Sequence, residues 1–128
     1  MMKQEEILAT ARLYSQQKQA VERELEKLMM SLVELNNSVM TMKGLEAGEG
    51  LVPIGGGAFL KANLEGKDAI IPIGAGYMKE YSVKDASAEI GKRVKLTENA
   101  IKKMRDELGK IDKEMVKLEG EFRKLQQG

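Results

Sequence analysis

Residues 51–81 read LVPIGGGAFLKANLEGKDAIIPIGAGYMKEY, and they hold both prolines of the chain, Pro53 and Pro72. Two glycine-rich corners, Gly55-Gly56-Gly57-Ala58-Phe59 and Gly74-Ala75-Gly76-Tyr77, each end in an aromatic residue. Around them lie four short runs: Leu51 to Ile54, Ala58 to Leu64, Ala69 to Ile73, and Tyr77 to Tyr81. The second run alternates, with Ala58, Leu60, Ala62 and Leu64 on one face and Phe59, Lys61 and Asn63 on the other, as a half-buried strand does. With turns at Gly55-Gly56-Gly57, Gly66-Lys67-Asp68 and Gly74-Ala75-Gly76, the stretch predicts two β-hairpins in tandem. Each proline lacks a ladder donor, so the first and third runs belong at edges or meet a break there. Two lone hairpins are marginal in water and leave strand edges unpaired. Other chains are needed to close a sheet.

The glycines do not match a phosphate-binding loop. A dinucleotide fingerprint needs glycine at its sixth position, where Gly55-Gly56-Gly57-Ala58-Phe59-Leu60 has leucine. A P-loop would need Ser or Thr after Gly66-Lys67, where Asp68 stands, and a glycine at Lys61. Tight turns account for them.

Outward from residues 45–81 the period changes. Before it, Ile7, Ala11, Tyr14, Lys18, Val21, Leu25, Leu28, Leu32, Leu35, Val39 and Met42 alternate spacings of four and three without interruption. That is a heptad seam, and it predicts a helix over 4–44 that supercoils with a partner, because a lone straight helix lets such a seam drift by about 20° per heptad. Glu46-Ala47-Gly48-Glu49-Gly50 then turns the chain. Lys18 is the only charged seam residue: it fixes register, or its stem lies along the seam while the ammonium reaches water. Leu8, Leu13, Met29, Met30, Val33 and Met40 lie off the seam and are expected to extend its contact with a partner helix or a third element.

After the middle, Ser82 with Asp85 opens a second helix over 82–126 as a capping-box variant. Its seam runs through Val83, Ser87, Ile90, Val94, Thr97, Ile101, Met104, Leu108, Ile111, Met115, Leu118, Phe122 and Leu125. The fold class is therefore α+β, mainly α: an antiparallel two-helix coiled-coil hairpin joined by two tandem β-hairpins, as a single domain over 1–128. Met42 should lie near Ser87 at the base and Ile7 near Phe122 at the tip. Small Ala11, charged Lys18 and the helix-weakening Gly109 and Gly120 make the tip easy to open. The exposed Met, Leu and Phe side chains there form either an adaptable binding surface or ordinary frayed ends.

Composition removes other classes. The 128 residues carry 21 Lys plus Arg against 20 Asp plus Glu, so no strong field favours nucleic acid or a membrane surface. With no cysteine and no histidine, thiol and imidazole catalysis and the usual zinc ligands are absent, which argues against an enzyme and against a cofactor. The N-terminus has no apolar run of signal-peptide length, so a cytoplasmic protein is expected.

The order helix, two hairpins, helix, together with Val52-Pro53-Ile54-Gly55-Gly56-Gly57-Ala58-Phe59-Leu60-Lys61-Ala62 and Ile73-Gly74-Ala75-Gly76-Tyr77, closely resembles the alpha-type subunits of archaeal prefoldin. The resemblance covers essentially the whole chain, and two hairpins rather than one separate it from the beta type. Pro72 departs from the pattern by interrupting a platform strand. The resemblance implies a heterohexamer of two alpha and four beta-type subunits, whose hairpins close a β-barrel platform bearing six coiled coils. It implies that the tips capture unfolded client proteins without ATP and pass them to a group II chaperonin. Leu51, Val52, Ile54, Phe59, Leu60, Ala62, Leu64, Ile70, Ile71, Ile73 and Tyr77 would serve oligomerisation. Met1, Met2, Ile7, Leu8, Leu118, Phe122 and Leu125 would bind client. A structural scaffold or filament built on the same fold, without holdase duty, is the alternative.

Overall fold

The computed structural model describes residues 2–127. The element order is α1 (Gln4–Lys43), β1 (Gly48–Gly55), β2 (Ala58–Leu64), β3 (Asp68–Gly74), β4 (Tyr77–Ser82) and α2 (Val83–Gln127). Two long helices and two antiparallel hairpins thus appear where the period and the turn residues place them. Glu5 and Glu6 in the first turn of α1 and Lys43 in its last have the signs that the helix dipole favours. At the start of α2, the Asp85 backbone N–H donates to Ser82 Oγ at 3.1 Å, which satisfies one of the orphan donors of the first turn. One boundary differs from expectation. The turn after α1 is confined to residues 44–47, and Gly48-Glu49-Gly50 already belong to β1, pairing with Leu64, Asn63 and Ala62. Glycine permits this because Gly50 leaves room for Leu64, whose Cδ1 lies 2.7 Å from where a Cβ would stand.

The chain divides into two compact units. The first, Met1–Leu32 with Leu96–Gly128, pairs the N-terminal part of α1 with the C-terminal part of α2. Its seam residues on α1, from Ile7 to Leu32, are all buried or half-buried, and so are those on α2 from Thr97 to Phe122. Ile7, Ile101, Ile111 and Leu118 form its buried core. The off-seam residues depart from the reading above: Leu8, Leu13, Met29 and Met30 stay exposed beside the paired helices.

The second unit, Val33–Lys95, holds both hairpins and the adjoining helix segments. Ser87 Oγ donates to Met42 Sδ at 3.8 Å, the juxtaposition that the two seams demand. The connection between hairpins is tied to both helix ends: the Val83 N–H donates to the Lys67 carbonyl at 3.0 Å, and Gly66 sits against the Ala47 backbone. Each hairpin is a separate two-stranded sheet, so every strand is an edge.

The two hairpins are copies of one another. Val52-Pro53-Ile54-Gly55-Gly56-Gly57 and Ile71-Pro72-Ile73-Gly74-Ala75-Gly76 match at an offset of nineteen residues. Both place positive φ at the two central turn positions, Gly56 and Gly57 in one and Ala75 and Gly76 in the other. This is the signature of the hairpin turn whose twist matches the strands. Ala75 is the only non-glycine residue with positive φ among those described. Pairing runs through each proline, Pro53 with Phe59 and Pro72 with Met78, and the register shifts just beyond it. Pro72 therefore does not abolish pairing, because a bulge takes up the irregularity one residue later.

Candidate functional site

Two surfaces stand out, one in each unit. In the first unit, a cleft of about 480 Å³ opens between the helices. Ile7, Leu8, Ala11 and Lys18 line it from α1, and Asp112, Met115, Val116, Leu118, Glu119 and Phe122 from α2. Of the residues that sequence reasoning assigned to client binding, the cleft gathers Ile7, Leu8, Leu118 and Phe122. Their roles differ. Ile7 and Leu118 are 2% and 7% exposed, so while the helices are paired they form the floor rather than a free surface, a correction to the expected exposure. The seam positions that make good helix contacts are the ones that the partner helix covers. Leu8 is exposed and Phe122 half-buried, which leaves them accessible. Met2 and Leu125 do not line the cleft, and Met1 lies outside the described residues.

Sequence reasoning read Met115 only as a seam residue and passed over Val116, and both line the same cleft; Val116 is well exposed. A β-branched residue at an exposed helical position, beside the seam and with no helix-propensity reason to be there, was the available signal.

The cleft also answers where Lys18 goes. Its Nζ lies 2.8 Å from Asp112 Oδ1 on the facing helix, so the ammonium reaches a carboxylate and not only water. The hydrogen bond it donates to Asp112, then the charge of Asp112, hold the Lys18 ammonium above its usual range. Partial burial pulls the other way, and Glu22 adds a small rise. Nearby, Arg123 and Glu119 pair at 2.6 Å along α2.

The second surface is the pair of hairpins. Across a ladder, paired residues share a face. In the first hairpin Val52 and Leu60 lie on one face and Leu51, Pro53 and Phe59 on the other, and Leu51, Val52, Phe59 and Leu60 are all exposed. The face of Leu51, Pro53 and Phe59 also carries Glu49, Asn63 and Lys61, with Lys61 Nζ 3.9 Å from Glu49 Oε1, so it is mixed, whereas the Val52 and Leu60 face is apolar. Ile54 and Leu64 are also exposed, while Ala62 is half-buried. In the second hairpin Ile70, Ile73, Tyr77 and Met78 are exposed. Here Lys79 occupies the position of Leu60, with its ammonium 5.0 Å from the Tyr81 ring centre, so this face is more polar than its counterpart. Ile71 departs from its expected role: at 3% exposure it is covered within the chain and has no face left for a partner subunit.

A family model described as "Prefoldin subunit" matches residues 14–128. The chain belongs to the prefoldin subunit family. Membership of this family, whose members assemble into oligomers, supports a chaperone-type subunit. Prefoldin subunit alpha of Methanococcus aeolicus is 47% identical over 51 residues, which is 39% of this chain and 35% of that protein. The match thus spans about a third of the length of this curated relative. The cryo-EM structure of filamentous PFD from Methanocaldococcus jannaschii superposes with a TM-score of 0.71 at 21% identity, over 86% of this chain and 95% of that one. This likeness establishes the prefoldin fold. Among the described residues no helix is long and apolar enough to cross a membrane.

Proposed function

We propose that this chain is an alpha-type subunit of an ATP-independent holdase, acting in the cytoplasm and not as an enzyme. Its hairpins join those of beta-type subunits in a platform of two alpha and four beta chains. The paired helix ends capture apolar segments of unfolded proteins and release them to a group II chaperonin. The observation that carries the reading is the first hairpin, which leaves Val52 and Leu60 exposed on one face, Leu51 and Phe59 on the other, and both edges open, so that other strands and faces are needed to cover it. The cleft lined by Leu8, Met115, Val116 and Phe122 supports the capture role, since adaptable apolar side chains suit varied clients. Each end binds weakly, and several on one platform bind strongly through effective concentration.

A second reading is favoured by the filamentous PFD that shares the fold. In it, the same hairpins bind further copies of this chain and build a filament or spacer without holdase duty.

The test is dilution of a denaturant-unfolded protein into nucleotide-free buffer, with this chain assembled alongside a beta-type partner. Suppressed aggregation at near-stoichiometric oligomer, lost on Phe122→Ser with Leu125→Ser while assembly persists, supports the holdase. A well-formed oligomer that suppresses nothing refutes it. Growth with concentration to no fixed stoichiometry favours the filament.

A further inference from the structure

The seam of α1 is apolar except at Lys18, and the structure pairs Lys18 with Asp112 on the wall of the cleft whose floor is Ile7 and Leu118. The two charged side chains retain 37% and 54% of their exposure. Parting an apolar layer of the seam puts hydrocarbon into water. Parting this layer instead exchanges an exposed ion pair for two hydrated ions, which changes the equilibrium by a factor of only about five or less. It is thus the layer of this unit most easily wetted, and Ala11, the seam residue one step beyond Tyr14 towards the N-terminus, adds little packing.

We infer that the Lys18–Asp112 pair is a releasable clasp: it holds the N-terminal end of α1 to the C-terminal end of α2 over Ile7 and Leu118, and competing charge frees it. Screening ions or a charged client segment loosen the clasp, and the floor of the cleft becomes part of the binding surface. Glu119 and Glu22 are the other carboxylates close to this site, the first on the cleft wall and the second raising the Lys18 pKa slightly. Glu119 is engaged with Arg123, which leaves Asp112 as the partner of Lys18. That loosening governs client capture rests on the holdase reading; the clasp itself does not.

The test uses the assembled oligomer carrying a minority of spin-labelled subunit, with Ala9→Cys and Lys124→Cys as labelling sites on exposed faces of α1 and α2. The chain has no native cysteine to interfere. Pulsed electron resonance then reads the distance between the helix ends. Raising sodium chloride from ~0.01 to ~1 M, which cuts the screening length from about 30 to about 3 Å, should raise the long-distance population about two- to fivefold. Lys18→Met should lower that population and abolish its salt dependence, because an apolar layer replaces the ionic one. Asp112→Lys should open the ends already at low salt, and Lys18→Glu combined with Asp112→Lys should restore the original distances and salt response. Salt-independent distances in the unsubstituted seam, or a charge swap that fails to restore what Asp112→Lys disturbs, overturn the clasp whatever happens to client capture. Distances that follow the expected pattern while aggregation suppression stays constant leave the clasp standing and refute the capture role of the helix ends.

Discussion

Phe59→Ser isolates the platform from the rest of the molecule. Phe59 is 56% exposed in the single chain, opposite Pro53 on the hairpin face that it shares with exposed Leu51. A phenylalanine offers about 200 Å² of surface, so roughly 110 Å² of it waits for a partner. Covering that area at about 25 cal/mol per Å² is worth ~3 kcal/mol, or about a hundredfold in the dissociation constant of the contact it enters. The substitution should therefore shift dissociation of the oligomer on dilution to about hundredfold higher concentration, read by mass photometry or sedimentation. Helical circular dichroism should stay unchanged, because α1 and α2 do not depend on this side chain. Leu13→Ser is the control: it removes an equally exposed apolar side chain from the helix-end unit and should leave assembly where it was. Dissociation of Phe59→Ser within about twofold of the parent would mean that this face stays in water in the oligomer. The argument from the exposed apolar residues of the hairpin would then be wrong.

Other outcomes follow from backbone geometry and charge. Ala75 has φ of 51° at the turn position that its twin hairpin fills with Gly56. Ala75→Gly should stabilise by about 0.5–1 kcal/mol, the relief of left-handed strain less the greater freedom of the unfolded glycine, seen as a higher melting temperature. Gly66→Ala should cost about 1–3 kcal/mol, since φ is +73° and the new Cβ would stand 3.1 Å from the Ala47 backbone nitrogen. By contrast Gly109→Ala, in open space on α2, should gain about 1 kcal/mol of helix stability. For Lys18, a pKa raised on folding means that its contribution is complete below the usual lysine range and is lost as pH rises through the raised value. In the spin-label experiment the Lys18–Asp112 contribution should thus be constant from neutral pH up to that range and vanish only in stronger alkali. Loss of the clasp between pH 7 and 9 would contradict the assignment of Lys18 as the titrating partner.

The amino-acid sequence by itself determined the elements, their order and the helix faces that pair. The unbroken four-three spacing from Ile7 to Met42 and from Val83 onward is a local property of each helix, and the structure covers every seam residue of α1 within a few residues of the expected bounds. Turn chemistry is equally local, which is why Gly55-Gly56-Gly57 and Gly74-Ala75-Gly76 announced the hairpins. The early start of β1 at Gly48 was hidden because a glycine that looks like a helix stop is also what lets Leu64 cross the strand. Only the tertiary structure decided the rest. Asp112 as the partner of Lys18, Val116 on the cleft wall, and Ile7 and Leu118 on its floor depend on how two segments nearly a hundred residues apart in sequence are phased about one another. Periodicity shows which stripe of a helix is covered; which residue flanking that stripe meets which neighbour is set by long-range packing. The burial of Ile71, alone among the apolar hairpin residues expected to face a partner, is of the same kind, for its sequence surroundings repeat those of exposed Val52 and only the packing of its own unit distinguishes them.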